Sequence, residues 1–316
     1  MTSFLHRRPK PEGPPAPFVV ASPRSGTTLL RMMLDAHPEL AVPWETHFVP
    51  ELIAVVETGG GAEEALEAVR GHRRWGDFHL DADALLERLR SHDPLRPGDA
   101  VRCFYTLYAE AQGKPRWGDK TPEYVEFMRP IAGALGEARF VHVIRDGRDV
   151  ALSRIHWRQR RSGKTPPMRR LARRWKEAIT VARRQARRVP HYLEVRYEDL
   201  VADPEPTLHR VCGFAELDYD PAMLAYHEHA SERMREIERT LPGTGDRVEL
   251  DAAQRLDKHE MATRPPARDR IFAWRREMGE TDRAEFEEVA GQLLAELGYP
   301  VGADATERAA AVAEDA

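Results

Sequence analysis

Five consecutive residues carry the densest chemical information in this chain: Arg24, Ser25, Gly26, Thr27 and Thr28, within ASPRSGTTLL. The arginine offers a permanently charged fork, the hydroxyls donate hydrogen bonds, and the glycine lets backbone approach an anion closely. The apolar run Phe18 to Ala21 delivers the chain to them as a buried strand. Leu29, Leu30, Met33 and Leu34 follow at helical spacing until His37-Pro38 stops the helix. The loop therefore sits at a helix start, where free N–H groups and the positive end of the dipole attract an anion. A phosphate loop of the form G-x-x-x-x-G-K-[ST] would put glycine at Ala21 and lysine at Thr27. That lysine reaches the β- and γ-phosphates of a nucleotide, so its absence argues against ATP as a phosphoryl donor.

The same strand, turn and helix pattern returns in RFVHVIRDGRDVALSRIHW. Val141, Val143 and Ile144 mark a strand over 139–146, Arg145 stands at its end, and Ser153 lies on the helix that follows. Arginine by its fork and serine by its hydroxyl can close on one anion, and Asp149 complements the dipole near that helix start. Two anion sites at the ends of two strands of one parallel sheet match a nucleotide with phosphates at both ends.

The elements that must position these groups alternate between strands and helices, which implies an α/β fold with a parallel sheet and right-handed crossovers. Leu40 to Val42 reads as a second short strand, YLEVRYEDLVADP as a later strand and turn, and MRRLARRWKEAITVARRQARRV as a long basic amphipathic helix. No linker divides the core, so one domain is expected over 18–301, with 51–111 as a helical lid over one end of the sheet. Residues 1–17 read as a flexible arm and 302–316 as a disordered tail.

The chain has 316 residues and a net charge of −4, which argues against a nucleic-acid binder. Its Arg-rich stretch from Arg154 to Arg188 reads as a solvated helix face. Two cysteines make no disulfide framework and fit a reducing cytoplasm. The histidines form no zinc pattern, so no metal is expected. No apolar run approaches a membrane span or a signal segment, which points to a cytoplasmic protein away from membranes.

Together, PRSGTTLLR, RDGRDVALS and VRYEDLVADP resemble, in order, three segments of the sulfotransferases that use 3′-phosphoadenosine 5′-phosphosulfate (PAPS). These are the 5′-phosphosulfate loop, the 3′-phosphate segment, and the strand and turn that follow; the resemblance runs from about Phe18 to Tyr299. PRSGTTLLRMMLDAHPELAVPWETHF is most similar to the protein-tyrosine sulfotransferases and their bacterial relatives, which carry arginine in the loop. The resemblance implies a P-loop-like three-layer fold, with a central parallel sheet flanked by helices. It implies that Arg24, Ser25, Gly26, Thr27 and Thr28 hold the 5′-phosphosulfate and that Arg145 and Ser153 hold the 3′-phosphate. Tyr197, in the family's Tyr-Glu pair, would touch the adenine or the 3′-phosphate.

The same resemblance implies that Glu45 takes the proton of the acceptor; His47 competes on its own chemistry, since an unperturbed histidine is poised near neutral pH. It implies that Lys120 stabilises the sulfuryl group from a loop before a helix, with Asp119 orienting it and Thr121-Pro122 as cap and first turn. TRPPARDRIFAWRREM resembles a late cofactor-binding loop, making Arg264 and Arg268 candidate 3′-phosphate contacts, although Ala273 replaces the basic residue that relatives carry before the Trp. The expected reaction moves a sulfuryl group from PAPS to a hydroxyl or amine of a small molecule, glycan or peptide and releases adenosine 3′,5′-bisphosphate. A kinase-like nucleotide-dependent transferase and a non-catalytic nucleotide-binding module are the readings that compete with it.

Overall fold

The computed structural model describes residues 9–163, 165–243 and 249–302. The expected arm and tail therefore lie outside the described residues except at 9–17 and 302. The chain order is β1 (Ala16–Ala21), α1 (Thr27–Asp35), β2 (Leu40–Ala41), α2 (Val49–Glu57), α3 (Ala62–Arg70), α4 (Ala82–Arg90) and α5 (Pro97–Ala111). Next come β3 (Arg116–Trp117), β4 (Asp119–Lys120), α6 (Met128–Ala134), β5 (Ala138–Ile144), α7 (Gly147–Ser162), α8 (Met168–Ala186) and β6 (Tyr192–Arg196). The described chain closes with α9 (Tyr197–Ala202), α10 (Pro204–Phe214), α11 (Tyr226–Arg235), α12 (Ala252–His259), α13 (Trp274–Glu277) and α14 (Glu280–Glu296).

The central sheet runs β4-β1-β5-β6 and every pairing in it is parallel. Its two middle strands, β1 and β5, are buried along their whole length, which is why β1 reads as an unbroken apolar run and β5 as one interrupted only by Arg139 and His142. The two-residue period of a strand divides their side chains cleanly. Ala16, Phe18, Val20, Ala138 and Phe140 face a core built with α2 to α6. Val19, Ala21, Val141 and Val143 face the opposite core with α1, α10 and α11. Helices thus cover both faces, giving the three-layer α/β fold expected from the sequence. β1 and β5 are in register from Ala16↔Ala138 to Ala21↔Val143, so the loops that follow them leave the sheet side by side.

Several local expectations change. Strand β1 begins at Ala16, so the end of the supposed arm belongs to the sheet. Upstream of it, Glu12 pairs with Arg96 and Arg102, each at 3.0 Å. Leu40–Ala41 pairs with Arg116–Trp117 in a separate two-stranded sheet rather than joining the central one. The central sheet's edge is instead Asp119–Lys120, which pairs with Phe18 and Val19. Lys120 therefore stands on a strand, not in a loop; two residues are too few for any periodicity to announce. Thr121 precedes the 3₁₀ turn Pro122–Glu126 but does not cap it. Its Oγ1 accepts from the Thr46 N–H (3.0 Å) and donates to Asp119 Oδ2 (3.3 Å).

The segment 51–111 is helical, but it forms one layer of the core through residues such as Leu52, Phe104 and Tyr105. None of the residues that line the main cavity comes from it. The wall facing the loop is supplied by 258–277, far along the chain. Among the described residues, no helix is long and apolar enough to cross a membrane.

Candidate active site

The loop between β1 and α1 is stapled by the Ser25 hydroxyl, which donates to the Ser22 carbonyl at 2.7 Å. Two of its residues take left-handed backbone conformations, Arg24 (φ 79°) and Gly26 (φ 88°). Gly26 is required twice over, because a Cβ built there would lie 2.2 Å from the Tyr197 ring. Left-handed backbone costs a non-glycine residue about 1–2 kcal/mol before that clash is counted. Gly26→Ala is therefore expected to lower the melting temperature by several degrees and to weaken anion binding to the loop. Differential scanning calorimetry and a titration with adenosine 3′,5′-bisphosphate check both effects.

Neighbouring strand ends bring the two sequence motifs together. Arg24 Nε donates to Ser153 Oγ on α7 at 3.1 Å. Arg145, at the end of β5, lies over the Tyr197 ring, 4.3 Å from guanidinium carbon to ring centroid. It donates to the Arg270 carbonyl at 2.9 Å and has its Nε buried without a partner. Burial, followed by repulsion from Arg145 and Arg160, pulls the Arg24 guanidinium down to about 10. A bound anion would relieve that strain. Arg24, Gly26, Thr27, Thr28, Arg145, Ser153 and Tyr197 line one cavity of about 250 Å³. Ser25 is turned to its own loop.

Glu45 enters the same cavity from the loop between β2 and α2. A buried polar knot holds that loop from behind: Thr46 Oγ1 donates to Asp119 Oδ2 (2.9 Å) and lies 2.7 Å from the Tyr124 hydroxyl, and the Tyr105 hydroxyl donates to Asp119 Oδ2 (2.8 Å). This corrects the role expected for Asp119. Adjacent strand residues point to opposite faces, so Asp119 fastens the Glu45 loop instead of orienting Lys120. Burial pushes the Asp119 carboxyl up to about 6 despite these donors.

Glu45 itself is clamped by cations. Its Oε1 accepts from Lys120 Nζ at 2.9 Å and its Oε2 from Arg74 at 2.8 Å, with Lys258 Nζ 3.9 Å away. Burial alone would raise its pKa, but Lys120, Lys258 and Arg74 outweigh burial and hold it well below the ordinary carboxylate range. Burial in turn lowers the Lys120 ammonium, against the pull of Glu45. His47 sits 3.4 Å from Glu45 Oε2 and is not among the cavity-lining residues.

Three residues of this arrangement carry no local sequence signal. Arg74 comes from a turn after α3, and Lys258 and His259 from the last turn of α12, more than 200 positions after Glu45. His259 Nδ1 lies 3.5 Å from Thr28 Oγ1 and its ring is 4.8 Å from that of Trp44. Burial, then Lys258, holds His259 well below its usual value, so it is neutral. For Lys258, attraction to Glu45 is the largest influence and raises its pKa. Burial and the cations Arg74, Lys120 and Arg24 together exceed it and bring the ammonium down to about 8. Activity that needs this charge is expected to fall above about pH 8, by about tenfold per unit when it is essential, and Lys258→Arg to move the fall to higher pH. A pH–rate profile of both proteins measures this.

The C-terminal contacts also change. Arg264 is exposed, pairs with Glu260 and lies outside the cavity, and Arg268 donates to the Ala202 carbonyl at 2.7 Å. The basic residue of that segment which does line the cavity is Arg270, alongside Pro266, Ala267 and the departing Ala273. Loop side chains point where packing allows, and spacing could not distinguish these arginines. Arg160, from the stretch read as a solvated face, reaches the cavity rim 3.6 Å from Asp257. Among the described residues, no group of His, Cys, Asp and Glu is arranged to hold a metal ion.

The model of the sulfotransferase family matches residues 15–221. The chain is 26% identical over 217 residues to the protein-tyrosine sulfotransferase of Drosophila melanogaster, covering 68% of this chain and 40% of that protein. It is 25% identical to protein-tyrosine sulfotransferase A of Caenorhabditis elegans, covering 91% of this chain and 68% of that one. The sulfotransferase domain from the curacin biosynthetic pathway shares the fold with a TM-score of 0.58, at 23% identity, over 92% of this chain and all but 1% of that one (99% covered). The match spans well over half of a chain whose strand-end loops converge on one cavity: it belongs to the sulfotransferase family.

Proposed function

We propose that the protein transfers a sulfuryl group from PAPS to a hydroxyl or amine of an acceptor molecule. The observation that carries this reading is that the Arg24–Thr28 loop and the Arg145–Ser153 pair share one cavity with Glu45, whose carboxylate pairs with the fully buried Lys120 behind it. A donor with phosphate groups at both ends fits the two strand ends. Gly26 leaves room for the Tyr197 ring beside the loop, and Arg145, whose Nε is buried without a partner, lines the cavity at the end assigned to the 3′-phosphate. The acceptor oxygen or nitrogen attacks sulfur, the bond from sulfur to the 5′-phosphate oxygen breaks, and the acceptor proton passes to a Glu45 oxygen. Arg24 and Lys120 offset the charge that develops on the sulfuryl and leaving oxygens.

Glu45 and Lys120 solve a problem for each other. A carboxylate gripped by three cations is always ionised but is a weak base. When Lys120 turns its hydrogen bond from Glu45 to the sulfuryl oxygens, Glu45 regains proton affinity as the acceptor needs it. The acceptor is a small molecule, glycan or peptide, and the two free, buried cysteines fit reaction in a reducing cytoplasm.

Isothermal titration calorimetry tests the donor. Adenosine 3′,5′-bisphosphate is expected to bind without metal. Tight binding of ATP with Mg²⁺ and none of the bisphosphate would overturn the reading in favour of a phosphoryl-transferring enzyme. Incubation with sulfur-labelled PAPS and fractionated metabolites then identifies the acceptor class.

A further inference from the structure

Asp77 closes the 3₁₀ turn Trp75–Asp77, and its side chain is completely buried. No catalytic motif includes it. Its Oδ1 accepts from Arg239 and from Arg255, both at 3.0 Å. Its Oδ2 accepts from Arg255 at 2.5 Å and lies 3.6 Å from Arg74. One carboxylate thus gathers three guanidinium groups, two of them from a segment more than 160 residues away. The neighbouring Gly76 makes room for this: a Cβ there would lie 2.7 Å from the guanidinium carbon of Arg239.

Two of these arginines lead directly to the reacting end of the cavity. Arg74 turns its other nitrogen to Glu45 at 2.8 Å. Arg255, itself buried, precedes Lys258 and His259 by three and four positions on α12, so all three share one helix face. Fixing Arg255 on Asp77 therefore fixes the height and rotation of the turn that sets Lys258 beside Glu45 and His259 beside Thr28. The nucleotide side of the cavity is held mainly by the strand ends of β1 and β5 and the starts of α1 and α7, and the His259–Thr28 contact is the link between them and the helix that Asp77 fixes.

We propose that Asp77 is a positioning residue for sulfuryl transfer: through Arg74 and Arg255 it locks Glu45, Lys258 and His259 into one arrangement. The inference rests on reading the cavity as a sulfuryl-transfer site. It predicts that the chemical step and donor binding separate on substitution, because Asp77 reaches the Glu45 side through two arginines and the donor side only through the His259–Thr28 contact. A carboxylate present only to neutralise buried arginines would move stability and leave the turnover of folded protein unchanged.

The test compares Asp77→Asn with the wild type, using sulfur-labelled PAPS and the acceptor fraction that supports wild-type transfer, or water as acceptor if none does. Turnover per folded molecule is expected to fall about 30-fold or more, the scale of a small misplacement of reacting groups. Affinity for adenosine 3′,5′-bisphosphate should stay within about threefold, since Arg24, Arg145 and Ser153 are held without α12. Lys258→Ala should cost much less in the Asp77→Asn background than in the wild type, the mark of groups acting as a unit. Arg255→Lys and Arg255→Ala provide a second route should Asp77→Asn fold poorly. The lysine variant, which keeps a cation on Asp77, should recover most of the turnover that the alanine variant loses. Turnover within about threefold of wild type in Asp77→Asn or Arg255→Ala overturns the proposal. So do losses that multiply with Lys258→Ala, or a matching loss of bisphosphate affinity. A wild-type protein that binds no bisphosphate and moves no sulfate instead sinks the reading of the site.

Discussion

Glu45→Gln is expected to lower sulfuryl transfer by about 10²–10⁴-fold while leaving affinity for adenosine 3′,5′-bisphosphate within about threefold. The amide keeps the size of the side chain but cannot take a proton from the acceptor. The loss belongs to the chemical step, because Glu45 lies at the Lys120 and Lys258 end of the cavity and makes no hydrogen bond to the Arg24–Thr28 loop. A stability cost accompanies it. Lys120 is fully buried and Glu45 is its hydrogen-bonded anion, so losing that charge costs about 3–5 kcal/mol, as for a broken buried pair. Rates must therefore be expressed per folded molecule, with the folded fraction taken from a melting curve. The sign of the pH effect follows from the same clamp. Glu45 has its pKa depressed in the fold, so its contribution to stability is complete above its unfolded value and is lost as pH falls through the depressed folded one. His47→Ala, one contact away, should cost much less. If Glu45→Gln kept wild-type turnover while His47→Ala abolished it, the histidine would be the base.

Arg24→Ala should be nearly as damaging, about 10²–10³-fold in transfer, but with a different signature. In the proposed function Arg24 holds the donor, and it bonds to Ser153, so both turnover and bisphosphate affinity should fall. The residue is held under stress in the free protein, with left-handed backbone at φ 79° and Arg145 and Arg160 repelling it. An anion that relieves the repulsion binds more tightly for that reason. Arg24→Lys keeps the charge but loses the fork that reaches Ser153, and should recover binding more than rate. Calorimetry on the three proteins, beside single-turnover transfer of labelled sulfate, separates the two effects. Unchanged bisphosphate affinity in Arg24→Ala would remove Arg24 from the donor site.

Much of the fold was legible because its central strands are short, largely apolar and followed by amphipathic helices. Phe18 to Ala21 and Val141 to Ile144 are buried on both faces, and the one polar residue among them, His142, is itself buried and bonded to the Tyr192 hydroxyl. The edge strand β4 escaped notice for the opposite reason. Asp119 and Lys120 are a charged pair, buried because the Thr46 knot and Glu45 satisfy them from two sides. Only the assembled neighbours make a strand of them. Leu40–Ala41 is the short strand that its apolar character suggests, and its partner is Arg116–Trp117 outside the central sheet.

The sequence by itself determined the loop proposed to hold the donor, because that loop is local. A strand end, a glycine, two threonines and a helix start lie within about ten residues, and helix geometry alone aims their donors at one point. The second cradle, at Arg145 and Ser153, obeys the same rule, and parallel pairing of β1 with β5 brings the two together. Only the tertiary structure decided the other half of the site. Arg74 and Lys258 reach Glu45 directly, Asp77 ties Arg74 to Arg255, and His259 reaches Thr28, all from segments separate in the chain; burial, not spacing, selects them. The same cause moves the late basic contact from Arg264 to Arg270, since a loop side chain faces the cavity or the solvent according to what packs beneath it.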